Sequence, residues 1–198
     1  MRQFLIIGHE APTTPSFSLD DLAGDAGRLD ILCRCVTSAF VRSHGIREDV
    51  QVHLVLNDQF TIQFDGPELK RLNPDERTTA ALIRTALEHR DNAIGHMPAE
   101  STPGVSIRRM GFAETVDRLK TETTPIRLDE AGTPVVDIDP PDDPLFVLSD
   151  HHSFTDDEIE RLSDVTEYQI RLGPMILHAD HAITVTHNYL DTNGYETY

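Results

Sequence analysis

The C-terminal part of the chain, residues 145–191, constrains the fold most. It contains two apolar segments, residues 145–148 and 165–172, each followed by a turn of small or polar residues, and then a helical pattern at 178–190. Residues 145–148 are apolar at every position, as in central parallel strands that are covered on both faces. Because backbone groups at the carboxyl ends of parallel strands are free to bond a ligand, the turns predict a ligand pocket.

The rest of the chain alternates strand patterns with helical ones. Strands are predicted at residues 4–7, 50–56, 60–64 and 105–107. Helices are predicted at residues 28–44, 73–89 and 111–121. Segments rich in Pro, Gly and polar residues are predicted loops, at 11–26 and 91–102, and a hairpin or pair of short strands is predicted at 126–137. The length suits one domain over residues 1–198.

The charge balance is unusual. Thirty-four acidic residues face 17 basic ones, for a net charge of −17, and the only lysines are Lys70 and Lys120. Such a composition suits a salty cytoplasm, since a Debye length of about 3 Å at 1 M salt screens self-repulsion. The alternative is a protein that avoids nucleic acid, because its charge repels phosphates in dilute salt. The salt interpretation leaves RNA binding open to a local arginine cluster.

Neither membrane insertion nor disulfide formation is expected from the sequence. No apolar run approaches the roughly 20 residues of a membrane span, and the apolar part of the N-terminus is too short for a secretory signal. The chain is therefore expected to be soluble and cytoplasmic. Cys33 and Cys35 point about 200° apart on a helix, which disfavours a disulfide and predicts two small buried residues.

Two groups of charged residues are candidates for a functional role. Arg28 and Asp30 lie in the first turn of a predicted helix, and Arg34 lies about a turn and a half further on. This pattern alone fits a solvated helix start with a salt bridge. Arg108 and Arg109 are adjacent, and guanidinium groups bind phosphate and stack on bases. Neutralisation of local carboxylates is the alternative for this pair.

Three separated motifs together resemble one known family. Residues 27–35 (Gly-Arg-Leu-Asp-Ile-Leu-Cys-Arg-Cys), residues 101–109 (Ser-Thr-Pro-Gly-Val-Ser-Ile-Arg-Arg) and the 145–191 stretch occur in the same order as in the SPOUT methyltransferases. They resemble the archaeal tRNA pseudouridine-N1-methyltransferase branch in particular, over nearly the whole chain. The resemblance implies an α/β SPOUT fold: a mostly parallel sheet flanked by helices, with a C-terminal trefoil knot at about 145–191.

The resemblance also implies a reaction and partners. The reaction is methyl transfer from S-adenosylmethionine to N1 of pseudouridine in the T loop of tRNA. The family typically forms a homodimer, with the cofactor site near the dimer interface. Two alternatives stay open, namely the same chemistry on ribosomal RNA, or a non-catalytic RNA- or partner-binding module that retains the fold.

Site residues follow from the same resemblance. Asp30 is expected to meet the N1–H group of the base, with Arg28 orienting it, and RNA contacts are expected from Arg34, Arg108 and Arg109. Family members often carry glycine where Ser149 stands, which makes an especially close backbone approach to the cofactor less certain here. The residues expected to bind the cofactor are Leu148, Ser149, Arg171, Leu172, Gly173, Pro174, Met175, Leu177 and Ala182. By the pattern of this stretch alone, the favoured interpretation is that all of them are core and turn residues of an α/β domain.

Ten histidines raise the alternative of a zinc hydrolase. His178 and His181 are three residues apart with Asp180 between them, and His151 and His152 lie in another turn. Three such ligands and an open position would make a hydrolytic site. The spacing matches no zinc motif such as HExxH, so no metal is predicted.

Overall fold

The computed structural model describes residues 1–70 and 72–198, and the strands of this part form one eight-stranded sheet. The strands are β1 (Arg2–Gly8), β2 (Val50–Leu56), β3 (Phe60–Asp65), β4 (Ala99–Thr102), β5 (Val105–Arg108), β6 (Thr124–Pro134), β7 (Pro144–Ser149) and β8 (Tyr168–Arg171). Their order is β4-β5-β3-β2-β1-β7-β6-β8. The pairings from β2 through β1, β7 and β6 to β8 are parallel, whereas those among β2, β3, β5 and β4 are antiparallel.

Helices cover both faces of this sheet, as the predicted α/β fold requires. They are α1 (Leu29–Phe40), α2 (Glu76–Glu88), α3 (Phe112–Leu119), α4 (Asp156–Val165) and α5 (Ala179–Asp191). The first, second and fifth helices pack on one face in the larger core, and α3 and α4 pack on the other. The central strands β1 and β7 send alternate side chains into the two cores, which explains why residues 145–148 are apolar throughout.

Several predicted elements are confirmed, with shifted ends. Helix α1 stops at Phe40 instead of residue 44, because Val41 pairs with Ile46 around Gly45, which has a φ of 92°. Helix α4 starts at a capping box, in which Thr155 accepts from the backbone of Glu158. It runs on to Val165, so the strand predicted at 165–172 is confined to Tyr168–Arg171.

Two local predictions are wrong. The predicted loop at 91–102 ends in strand β4, which pairs with β5 across the turn at Gly104. The short polar sequence Ala99–Thr102 lacks the alternation of a half-buried strand, because β4 is at the edge of the sheet. Residues 126–137 do not form a hairpin. Strand β6 lies between β7 and β8, parallel to both, and its register with β8 shifts between Leu128 and Thr133.

The C-terminal helix returns from the β8 edge of the sheet to pack against α1. His187 of α5 contacts the carbonyl oxygen of Ala39 through Nε2 at 3.0 Å, and the Tyr189 hydroxyl donates to the carbonyl of Ile138 at 2.8 Å. Asp191 pairs with Arg2 and Arg47. The end of α5 is thereby held beside the end of α1.

Two sequence expectations concern features other than the sheet. Cys33 and Cys35 are buried and unpaired in α1, as predicted. In the part of the chain that the structure describes, no helix is both long and apolar enough to cross a membrane.

Gly132 should be sensitive to substitution because it lies directly against the backbone of β8. A Cβ atom there would lie 2.6 Å from the backbone of Ile170. We expect Gly132→Ala to lower the free energy of unfolding by about 1–3 kcal/mol, the usual cost of overpacking. Denaturant unfolding in molar potassium chloride measures this, with the exposed neighbour Ala131→Ser as control. Equal stability of the two variants would contradict the close packing of β6 and β8.

Candidate active site

The parallel strands bring the turns predicted to bind cofactor to one edge of the sheet. In the strand register, Ser149 at the end of β7 lies beside Ile7 near the end of β1. Strand β6 pairs in parallel with both β7 and β8, so Arg171 at the end of β8 emerges at the same edge. Two strand spacings separate β7 from β8, or about 10 Å. The two turns therefore lie at the same edge of the sheet, on either side of the end of β6.

The turn after β7 is held by its own side chains. Leu148 is buried in the larger core. The Ser149 hydroxyl donates to the carbonyl oxygen of His152 at 2.5 Å, which closes the turn. The serine that replaces the family's frequent glycine thus has a structural role in this chain.

The turn after β8 presents apolar side chains to solvent. Met175 and Ile176 are 75% and 79% exposed, and Leu177 is also exposed. Arg171 and Pro174 are exposed and Gly173 is partly so, while Leu172 packs against the core. Ala182, in the first turns of α5, is buried and small. Exposed apolar groups beside free backbone groups are the surroundings that an adenine base requires.

Asp30 lies between two arginines at the start of α1. Arg28 donates to both carboxylate oxygens of Asp30, from Nε at 3.0 Å and from Nη2 at 3.2 Å. Arg34, one turn further along the helix, donates from Nη1 at 2.8 Å. Arg28 has a φ of 57°, in the left-handed region, and Gly27 before it has a φ of 53°. The strained entry to α1 thus turns the Arg28 side chain back onto Asp30.

These hydrogen bonds decide the charge of Asp30. Burial alone would favour the neutral acid, but the bonds from Arg28 and Arg34 outweigh it, so the pKa of Asp30 lies below its usual value. The group is therefore ionised throughout the neutral range. It acts as a firmly held hydrogen-bond acceptor and as a weak base.

Arg34 joins the Asp30 group to the cofactor edge. Besides Asp30, it pairs with Glu76 of α2 at 3.4 Å and with Asp180 in the first turn of α5 at 3.5 Å. The buried Oδ1 atom of Asp180 has no hydrogen-bond partner among the residues that the structure describes. An unmatched carboxylate oxygen at this edge suits a ligand with an ammonium or N–H group. Sequence reasoning missed Glu76, whose only signal was an acid in the first turn of a helix, and it considered Asp180 only as a possible metal ligand beside His178 and His181.

A cleft of about 470 Å³ opens beside Asp30. It is lined by Asp30, Glu76, Arg77 and residues 19–23 of the predicted loop. This volume falls in the usual range for small-molecule sites and accommodates a single nucleotide. The pocket edge and the cleft are thus adjacent, linked through Arg34.

The side chains of the adjacent Arg108 and Arg109 lie on opposite faces of the sheet. Arg108 is half-buried on the α3 side of the sheet and donates to Gln63 at 2.8 Å. Burial, and then the charge of Arg118, lower its pKa. Arg109 is exposed, lies over the ring of Phe60 at 5.3 Å and pairs with Asp91 at 3.7 Å. Phe60 belongs to the larger core, so Arg109 shares a face with α1.

A further polar group, which the sequence did not reveal, lies at the ends of β1 and β7. The Asp150 side chain is only 2% exposed and accepts from the backbone N–H groups of His9 and His152, each at 2.8 Å. The His9 ring contacts Asp150 and Glu158 at 3.0 and 3.2 Å. Burial alone would lower the pKa of His9, but these two carboxylates raise it. Asp150 thus ties the two loops together beside the pocket.

The comparisons with known proteins agree with this geometry. The chain matches, over residues 1–195, a family described as "Putative SAM-dependent RNA methyltransferase". The structure of Archaeoglobus fulgidus Nep1 bound to S-adenosylhomocysteine has a similar fold, with a TM-score of 0.66 at 12% identity, covering 94% of this chain and 95% of that one. The family match over nearly the whole chain therefore defines a methyltransferase with an α/β fold, and the chain belongs to this family of S-adenosylmethionine-dependent RNA methyltransferases.

Close relatives narrow the family further. A protein of Haloferax volcanii is 67% identical and one of Haloarcula marismortui is 63% identical, each over 198 residues covering all of both chains. Both are named tRNA (pseudouridine(54)-N(1))-methyltransferase. These relatives come from halophilic archaea, which agrees with the salt interpretation of the acidic composition.

The ion pairs of Asp30 make a contribution to the free energy of unfolding that depends on pH. Since its folded pKa is depressed, this contribution is present above the unfolded pKa of about 3.9 and is lost as the pH falls through the folded pKa. We expect the stability difference between wild type and Asp30→Asn to be constant from about pH 7 to pH 5 and to shrink below that. Denaturant midpoints measure it. A difference that grows toward acid pH would contradict the ion-pair geometry, and exposed Asp164→Asn is the control.

Proposed function

We propose that the chain transfers a methyl group from S-adenosylmethionine to N1 of pseudouridine 54 in tRNA. The family and the names of full-length relatives support this reaction. The structural observation that carries it is the ionised Asp30, held between Arg28 and Arg34 in a nucleotide-sized cleft next to the cofactor edge.

The residues at the sheet edge fit the cofactor. We assign the adenosine part to the pocket between the turns after β7 and β8. Met175 and Leu177 supply apolar contact there, Ala182 leaves space, and the free carboxylate oxygen of Asp180 suits a donor group. The remaining residues assigned to this pocket are Leu148, Ser149, Arg171, Leu172, Gly173 and Pro174. When bound, S-adenosylmethionine supplies an electrophilic methyl group.

The chemistry of pseudouridine explains the need for a carboxylate. Pseudouridine is a C-glycoside, so its N1 carries a proton and is exposed, unlike the glycosidic N1 of uridine. Attack on a methyl group requires an in-line lone pair, and hence loss or delocalisation of that proton. We assign Asp30 as the acceptor that faces N1–H. With its depressed pKa it polarises the N–H bond and passes the proton on to solvent, while Arg28 fixes its orientation.

Arginines are the groups that would hold the RNA on this acidic chain. Arg109 is exposed on the same face as α1, and Arg34 is about one-third exposed beside Asp30. Arg108 is half-buried beside Gln63, so its contact with RNA requires a phosphate to enter the groove on the α3 side. Reaching a base in the T loop also requires the loop to open or the base to flip.

Three further features complete the proposal. We infer a single domain over residues 1–198 and a trefoil knot at about 145–191, supported by the position of β6 between β7 and β8 and by the return of α5 to α1. We infer a homodimer, supported by the exposed apolar turn at residues 175–177. A cytoplasmic location follows from a tRNA substrate.

The decisive experiment measures methyl transfer from labelled S-adenosylmethionine in molar potassium chloride to two T-arm RNAs. One RNA carries pseudouridine at the target position and the other carries uridine. We expect label in the first RNA only, because only its base has a free N1. Asp30→Asn should lower the rate by about 100-fold or more, within the range for a lost proton acceptor.

Asp164→Asn, an exposed change on α4, is the matched control and should methylate like wild type. Cofactor binding and denaturant unfolding establish that Asp30→Asn is folded. Label in both RNAs or in neither would refute the proposed reaction. Unchanged methylation by a folded Asp30→Asn protein would remove Asp30 from the mechanism.

Arg109 should contribute one phosphate contact. We expect Arg109→Gln to weaken T-arm binding and to reduce the slope of log K against log salt by about 1, since one fewer counterion is released. Fluorescence anisotropy across a potassium chloride series measures this slope. Lys120→Gln, which removes a cation from the opposite face, is the control. Equal slopes for wild type and Arg109→Gln would show that Arg109 does not contact a phosphate of the RNA.

A further inference from the structure

Three potential metal ligands meet at the carboxyl ends of β1 and β7. Glu10 follows β1, and His151 and His152 follow β7. Their ligand atoms all lie within 4.8 Å of one another. None of the three has a role in the methyl transfer proposed above. Glu10 is distant in sequence from the adjacent His151 and His152, so no spacing along the chain reveals the three as a group, and no metal was predicted from the sequence.

The spacing of these atoms is close to that of a tetrahedral metal site. Nε2 of His152 lies 3.6 Å from one carboxylate oxygen of Glu10, and Nε2 of His151 lies 4.0 Å from the other. Zinc bonds of about 2.0–2.1 Å in a tetrahedron separate ligand atoms by about 3.4 Å. The two imidazoles face different oxygens of Glu10, and the three ligand atoms lie within 4.8 Å of one another, so side-chain rotations of up to about 1 Å would bring them to tetrahedral spacing and leave a fourth position open.

The buried carboxylate of Asp150 lies next to one of the three potential ligands, His151. Oδ2 of Asp150 lies 3.7 Å from Nδ1 of His151, the ring nitrogen that faces away from Glu10. Carboxylates in this position orient metal-binding histidines and fix their tautomer. Asp150 also receives the backbone N–H of His152, so a single buried group supports both histidine ligands.

Glu10 is fixed as well, through its backbone. Its carbonyl oxygen lies against Gly27, where an added Cβ atom would come within 1.8 Å of it. Gly27 directly precedes Arg28, so the loop that carries Glu10 is packed against the entry to α1. The three ligands therefore project from two loops that the fold holds in place, and this differs from a chance encounter of mobile side chains.

We propose that Glu10, His151 and His152 bind a divalent transition-metal ion of the zinc class. Two imidazoles and one carboxylate favour zinc over magnesium or calcium, which prefer oxygen ligands alone. The bound ion links the loop after β1 to the turn after β7, the turn that also contains Ser149.

The test is metal binding by the purified full chain, stripped of metal, in molar potassium acetate. Zn²⁺ affinity is measured by competition with a chromophoric chelator, and Co²⁺ absorption reports tetrahedral coordination. We expect one tight equivalent in the wild type. The His151→Ala/His152→Ala double variant should bind at least about 100-fold more weakly, and Asp150→Asn about 10- to 100-fold more weakly.

The second histidine pair provides the matched control. His178 and His181 are exposed, with ring centroids 5.9 Å apart, and they belong to no group of three ligands in the described part of the chain. His178→Ala/His181→Ala should bind Zn²⁺ like wild type. Equal losses in the two double variants would indicate general surface binding and overturn the proposal, as would a wild type that binds no tighter than His151→Ala/His152→Ala. Glu10→Gln removes one ligand at an exposed position, where the change should leave the fold intact. Weaker Zn²⁺ binding by this variant would therefore reflect loss of a ligand and not loss of the fold.

Discussion

The parallel pairing of β1, β7, β6 and β8 is the constraint on which the rest of the structure depends. Parallel strands end at the same edge, so this pairing alone brings together residues that are more than 140 positions apart, such as Ile7 and Ser149. Because each of these strands is followed by a loop or turn at that edge, the turns proposed to bind the cofactor and the proposed metal ligands are brought together by one arrangement of hydrogen bonds. A one-residue change in the register of one of these strands would move all of its side chains to the opposite face of the sheet.

Electrostatics link this edge to the helices. In a chain of net charge −17, Arg34 is surrounded by three carboxylates, from α1, α2 and α5. Because its guanidinium is always charged, it stabilises the ionised form of Asp30 while holding the start of α5 next to α1. The same contact thus serves the packing of three helices and the chemistry of the cleft. Arg28 and Arg34 offset most of the charge of these three carboxylates within the fold, so this group depends less on salt for screening than unpaired surface acids do.

Sequence reasoning predicted the elements whose patterns are local. The apolar run of β7, the capping box at Thr155 and the buried face of α1 were all recognisable from neighbouring residues. Edge strand β4 and the shifted register of β6 were not, because their pairing is set by distant strands. The same division applies to the site. Asp30, Arg28 and Arg34 lie within two helical turns of one another. Asp180 reaches Arg34, and Asp150 reaches the loop after β1, only through tertiary packing.

The exposed apolar turn at residues 175–177 has a consequence for the life of the protein in the cell. In the proposed complex the methyl donor covers this turn, and such a complex would be stabilised against unfolding more strongly as the donor's concentration rises. A cell short of methionine would then hold less of the covered form. Proteases that act on transiently opened chains would remove the enzyme faster, so its abundance would follow the supply of the reagent that it consumes.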